Sequence, residues 1–222
     1  MTTKLPTSSP YSASKIDLYL DALSAEGPSG RLIFALDATA SRQLTWDRAC
    51  NLQADMFRAA IGVGGLEVQL VYYRGSNGEC KASNWMTDSK RLSTVMSRIV
   101  CEAGYTPIEK VLRHARSENG RNKIAALCFV GDAMEEEPDA LCGAAGLLRN
   151  VPVFMFQEGD LADVEKTFRQ ITKITHGAYA RFDTGSADQL RDLLKAVGAF
   201  AVGGRAALEG KPGATLLLQQ LK

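Results

Sequence analysis

The sequence predicts a doubly wound α/β domain: a mostly parallel six-stranded sheet with one antiparallel edge strand and helices on both faces. Three observations predict it. Residues 31–36 and 123–130 are near-continuous apolar runs, the pattern of central strands covered on both faces. From the second run onward, strand and helix patterns alternate without interruption, which implies right-handed parallel crossovers. Between the runs, Gly75-Ser76-Asn77-Gly78 joins an apolar arm to a more polar one, a hairpin whose second arm suits a sheet edge.

In chain order, residues 1–14 are rich in Thr, Ser and Pro and read as a mobile tail without the apolar stretch of a secretion signal. Ile16, Leu20 and Leu23 then share one side of a short helix, and Gly27-Pro28-Ser29-Gly30 breaks the chain. The first strand, 31–36, is followed by a loop and a helix carrying Ala49, Leu52, Met56, Ala59 and Ala60, which ends at 62–65. The hairpin arms are 66–72 and 79–85. Leu92, Val95, Met96 and Ile99 mark the next helix, and Thr106-Pro107-Ile108-Glu109 opens another. After the strand at 123–130 come a helix at 138–149, a strand at 151–156, a helix with Leu161, Val164, Phe168 and Ile171, a strand at 178–182, and a helix with Leu190, Leu193, Leu194 and Val197. The chain thus divides into a tail with a short helix (1–29), the α/β domain (30–204) and a C-terminal extension (205–222) that either packs on the body or belongs to an oligomer contact.

With 222 residues, 45% of them hydrophobic, the chain can bury one sizeable core. Its 26 basic and 25 acidic residues are interspersed, leaving a formal charge of +1 and no basic stripe for nucleic acid. The longest apolar stretches fall short of the roughly 20 residues that span a bilayer, so no membrane partner is expected. Five cysteines without CxxC spacing and two distant histidines argue for reduced thiols in the cytoplasm and against a zinc cluster.

In a sheet of this kind, ligands collect beyond the carboxyl ends of the strands where the strand order reverses. Three polar segments fall at such places: Asp37-Ala38-Thr39-Ala40-Ser41 after the first strand, Gly104-Tyr105-Thr106 before a helix, and Gly131-Asp132 after the second buried strand. Alternate positions point Asp37, Thr39 and Ser41 at one spot, offering hard oxygen ligands of the kind Mg2+ prefers.

This constellation resembles a von Willebrand factor type A (vWA) domain with a metal-ion-dependent adhesion site (MIDAS). That family carries Asp-x-Ser-x-Ser after its first strand, a Thr at the start of a later helix and an Asp after its central fourth strand. Position by position these correspond to Asp37, Thr39, Ser41, Thr106 and Asp132, and the resemblance spans residues 30–204. Thr39 stands where the pattern has Ser, and Ala133 where Gly is common. The resemblance implies a Rossmann-like fold and a bound Mg2+, with Mn2+ or Ca2+ as substitutes. It also implies a division of labour, in which the hydroxyls of Thr39, Ser41 and Thr106 meet the ion directly or nearly so and Asp37 and Asp132 act through water. An ion left so little neutralised attracts a further carboxylate, so the implied partner is a protein presenting an Asp or Glu.

Plainer roles stand beside these. Asp37 and Ser41 are residue types that satisfy turn and helix-start amides, and Thr106-x-x-Glu109 reads as a capping box with Pro107 at the first helical position. The run Glu135-Glu136-Glu137 reads as the solvated start of the following helix rather than as extra metal ligands. Tyr105, Arg42 and Gln43 flank the proposed site, His114 reads as a surface residue, and Trp46 and Trp85 as packing anchors.

Two rival readings use the same residues. Asp37-Ala38-Thr39-Ala40-Ser41 is also similar to the motif of haloacid-dehalogenase-like phosphotransferases, in which Asp37 would be the Mg2+-assisted nucleophile. Against it, the chain enters a helix directly after Ser41, the usual second acid is missing, and two full β/α units follow Asp132. The other rival is a scaffold that uses the fold without metal.

Overall fold

A computed structural model describes residues 30–40, 43–52, 54–60, 65–148, 150–183, 186–211 and 213–221. The expected tail and the helix at 16–23 lie outside them. The described elements are β1 (Gly30–Asp37), α1 (Gln43–Leu52), α2 (Ala54–Ala60), β2 (Leu66–Arg74), β3 (Glu79–Ala82), α3 (Ser89–Met96) and α4 (Ile108–Arg121), then β4 (Ala126–Gly131), α5 (Pro138–Gly146), β5 (Val153–Glu158), α6 (Ala162–Ile174), β6 (Ala178–Phe182), α7 (Ala187–Gly203), a 3-10 turn (Arg205–Leu208) and α8 (Ala214–Leu218).

The sheet has six strands in the order β3-β2-β1-β4-β5-β6, parallel throughout except for β3, which runs antiparallel to β2. Two facts about β1 explain why its sequence is apolar at every position. It is hydrogen-bonded on both edges, and its side chains alternate between two cores. Leu32, Phe34 and Leu36 join the core under α1, α2, α3 and α7, whereas Ile33 and Ala35 join the one under α4, α5 and α6. The chain leaves β1 toward β2 on one side and later adds β4 on the other, so the order reverses between β1 and β4. That crevice is where this topology opens a ligand site.

Several boundaries differ from expectation for local reasons. The second hairpin arm stops at Ala82 because the Ser83 hydroxyl takes the Leu70 amide, at 3.0 Å, and interrupts the ladder. The strand expected at 151–156 begins two residues later, after Pro152, which has no N–H to donate. The C-terminal segment packs on the body, with Leu208, Ala214, Leu217 and Leu221 buried. Beside them the Gln220 side chain pairs with both backbone groups of Tyr179 on the edge strand β6, at 3.0 and 2.8 Å. No helix of the described residues is long and apolar enough to cross a membrane.

His114 is half-buried rather than a surface residue, with its Nε2 2.8 Å from Gln69 Oε1. Burial lowers its pKa below the ordinary 6.5, opposed by the nearby Glu118 carboxylate and assisted by Arg121. The folded state therefore favours the neutral ring, and the stability it confers is full above the unfolded value and lost as pH falls through the folded one. The melting temperature is expected to drop between about pH 7.5 and 5.5, and His114→Gln, which can still bond Gln69, should flatten that drop. An unchanged pH slope in the variant would refute this account of the ring.

Candidate metal-binding site

The apolar run of β1 ends in a carboxylate that the fold buries. Asp37 is 1% exposed, and its Oδ1 accepts the Thr39 amide at 2.7 Å, so part of the plain turn-forming role is real. The same bond fixes the course of the loop that carries Thr39, itself 6% exposed. Next to it, the Ala38 amide donates to Tyr73 O and the Ala38 carbonyl accepts from the Glu102 amide, both at 3.0 Å. These bonds stitch the loop after β1 to the hairpin strand β2 and to the segment that leads into α4.

That segment is drawn in further by Gly104. A Cβ there would lie 2.2 Å from Gly75 O, so only glycine lets this backbone rest on the hairpin turn. Thr106, 2% exposed, follows, and its amide donates to Glu135 Oε2 at 3.1 Å, joining the segment to the loop after β4. The three loops close round a cavity of about 220 Å³ lined by Asp37, Thr39, Thr106, Asp132 and Glu135, with Ala40, Ala103, Gly104 and Ala133 completing the wall. The structure thus brings together four of the five expected ligands; the fifth, Ser41, and the flanking Arg42 lie outside the described residues.

The capping box does not form. Helix α4 begins at Ile108 with Pro107 as its N-cap and no side-chain cap bond, so Thr106 and Glu109 are one residue out of register. Glu109 instead pairs with Arg113 at 2.6 Å. The cap comes from the far loop, where Glu136 accepts the Glu109 amide through both oxygens, at 3.0 and 3.3 Å. Burial holds the Glu136 carboxyl above the usual range, with the Glu109 and Ile108 amides pulling it back. Glu135 and Glu136 therefore serve the start of α4, not that of α5 as expected, because the turn after β4 aims them across the crevice at the positive end of the earlier helix. The Thr106 hydroxyl, relieved of capping, takes no hydrogen bond among the described residues and faces the cavity.

A second cavity, of about 350 Å³, lies beside the first and is lined by the hairpin turn, Tyr105, Pro107, Lys110 and Glu136. Thr106 and Glu135 line both. Tyr105, 61% exposed, stands on this rim, whereas Gln43 bonds Asp47 at 2.8 Å and faces a separate cleft beside Trp46.

The donor set fits a hard divalent cation. Two hydroxyls and two carboxylates are the oxygen chemistry that Mg2+ and Mn2+ accept, and the cavity has room for the waters that Mg2+ retains. Among the described residues no three His, Cys, Asp or Glu side chains gather as a metal cluster, so an ion here would rely on hydroxyl and water ligands. Glu135 is the lining residue that reading the sequence as a helix start passed over; its spacing of three from Asp132 was the available signal.

No family model and no curated protein matches the sequence. Solved structures do match. The fold is similar to the von Willebrand factor type A protein from Catenulispora acidiphila, with a TM-score of 0.65 and 13% identity over 79% of this chain and 43% of that one. It is also similar to proximal thread matrix protein 1 from the mussel byssus, described with a zinc-occupied MIDAS motif, with a TM-score of 0.60 and 14% identity over 83% of this chain and 52% of that one. The SpRpn10 VWA domain matches with a TM-score of 0.58 and 11% identity, over 75% of this chain and 93% of that one. The chain has the vWA fold. It spans about half the length, or less, of the Catenulispora and byssus chains.

Proposed function

We propose that this domain is a non-enzymatic protein-binding module that depends on a divalent cation. The observation that carries the reading is the convergence of Asp37, Thr39, Thr106 and Asp132 on one cavity at the β1/β4 crevice. Thr39, Thr106 and the neighbouring Ser41 would hold a Mg2+ by their hydroxyls, with Asp37 and Asp132 supporting it through water. The ion would supply a positive centre that accepts an Asp or Glu carboxylate from a partner protein. The zinc named in the MIDAS motif of the byssus protein supports a divalent cation at the matching place. We infer a cytoplasmic module from its five cysteines, an odd set without CxxC spacing that suits a reducing compartment.

Calorimetric titration of the wild type with Mg2+ and Mn2+ tests the ion, and absence of binding overturns the reading. Immobilised domain should then retain a protein in Mg2+ and release it to a chelator; retention indifferent to chelator would favour the metal-free scaffold. Turnover of a generic phosphate ester, lost in Asp37→Asn, would instead favour the phosphotransferase.

A further inference from the structure

We propose that Gln220 locks the open edge of the sheet: its carboxamide takes the place of a residue in a further strand and keeps β6 from pairing with the β6 of a second copy of this chain. β6 ends the strand order, so on one side it has no strand beside it among the described residues. In a parallel ladder, successive residues turn their backbone groups to opposite sides. The Gly159 amide donates to Phe182 O, which turns Phe182, Ala180 and Ala178 toward β5 and leaves Tyr179 and Arg181 facing outward.

Gln220 meets the first of these as a strand would. Its Oε1 accepts the Tyr179 amide at 3.0 Å and its Nε2 donates to the Tyr179 carbonyl at 2.8 Å, the pair of bonds that opposed residues exchange in an antiparallel ladder. The side chain is held in place from its own segment. Nε2 also donates to Leu216 O at 3.0 Å, Leu217 and Leu221 are buried, and the Arg205 guanidinium donates to the Leu221 carbonyl.

The lock covers one residue of the edge, and Arg181 beyond it is exposed. The strand is self-complementary about Ala180. A two-fold axis there would set Tyr179 of one copy against Arg181 of the other, each pair exchanging both main-chain bonds. Unpaired edges invite such pairing unless something covers them, and here the cover is one side chain. Gln220 and a second β6 therefore compete for the same amide and carbonyl, and release of the one admits the other.

Gln220→Met tests this by keeping the length of the side chain while removing both bonds, with Gln219→Ala at the exposed neighbouring position as the control. At low protein concentration, hydrogen exchange at the Tyr179 amide is expected to quicken by about 10-fold or more in Gln220→Met and to keep the wild-type rate in Gln219→Ala. At high concentration, sedimentation velocity is expected to show more dimer in Gln220→Met than in the wild type. Adding Arg181→Pro, which deletes an outward N–H and leaves the β5 ladder intact, should return it to the wild-type state. Unchanged exchange at Tyr179 overturns the lock. Association no greater than wild type overturns the competition with a second copy, and association that survives Arg181→Pro assigns it to another surface and overturns it too. Should Gln220→Met not fold, Gln220→Ala carries the same readouts.

Discussion

Asp37→Asn is expected to remove divalent-cation binding from a folded protein, with Mg2+ weakened by about 100-fold or more. The carboxylate is 1% exposed at the end of the central strand, so its charge acts in a poorly screened setting where it counts most toward a cation. Asparagine retains an oxygen for the Thr39 amide, the bond that shapes the loop, so the variant separates charge from architecture. Asp37→Ala should lose the ion as well but also destabilise the loop, having no acceptor left for a buried amide. Calorimetry beside thermal melts checks both. Binding within threefold of wild type in Asp37→Asn would sink the metal reading.

Gly198→Ala should cause a large loss of stability without touching the site. Gly198 lies inside α7 where that helix crosses α2, and an added Cβ would sit 2.5 Å from Met56 O and 3.0 Å from Met56 C and Cα. These are backbone atoms of a packed helix and cannot swing aside. In an open helix the change would gain about 1 kcal/mol of propensity, whereas forcing the helices apart costs about 1–3 kcal/mol or more. We expect a net loss of up to about 2 kcal/mol, seen as a melting temperature lower by up to about 4–8 °C. Cation affinity at temperatures where the variant stays folded should match wild type, since the contact lies on the α2/α7 side of the sheet. A variant as stable as wild type would mean that the two helices pack less closely than described.

Most of the fold was legible because its signals are local. Residues 31–36 could be read as a central strand because a strand buried on both faces must be apolar at every position, and the alternation after residue 123 fixed parallel crossovers. Boundaries were less legible wherever a single side chain or a missing N–H decides them, as Ser83 does for β3 and Pro152 for β5. The start of α4 shows the limit most clearly. Thr106-x-x-Glu109 has the composition of a capping box, yet the helix begins one residue later and takes its cap from Glu136, 27 positions away in sequence. No window of neighbouring residues contains that competition.

The sequence by itself determined the fold class, the strand that carries Asp37 and the identities of the oxygen donors, because burial pattern and loop chemistry are written in consecutive residues. Tertiary structure alone decided that Asp37, Thr39, Thr106 and Asp132 share one cavity, and that Glu135 belongs with them rather than with the next helix. The physical reason is the order of the strands. Placing β4 beside β1 brings together loops far apart in the chain, and the amides exposed at the start of α4 then draw the acidic run across the crevice.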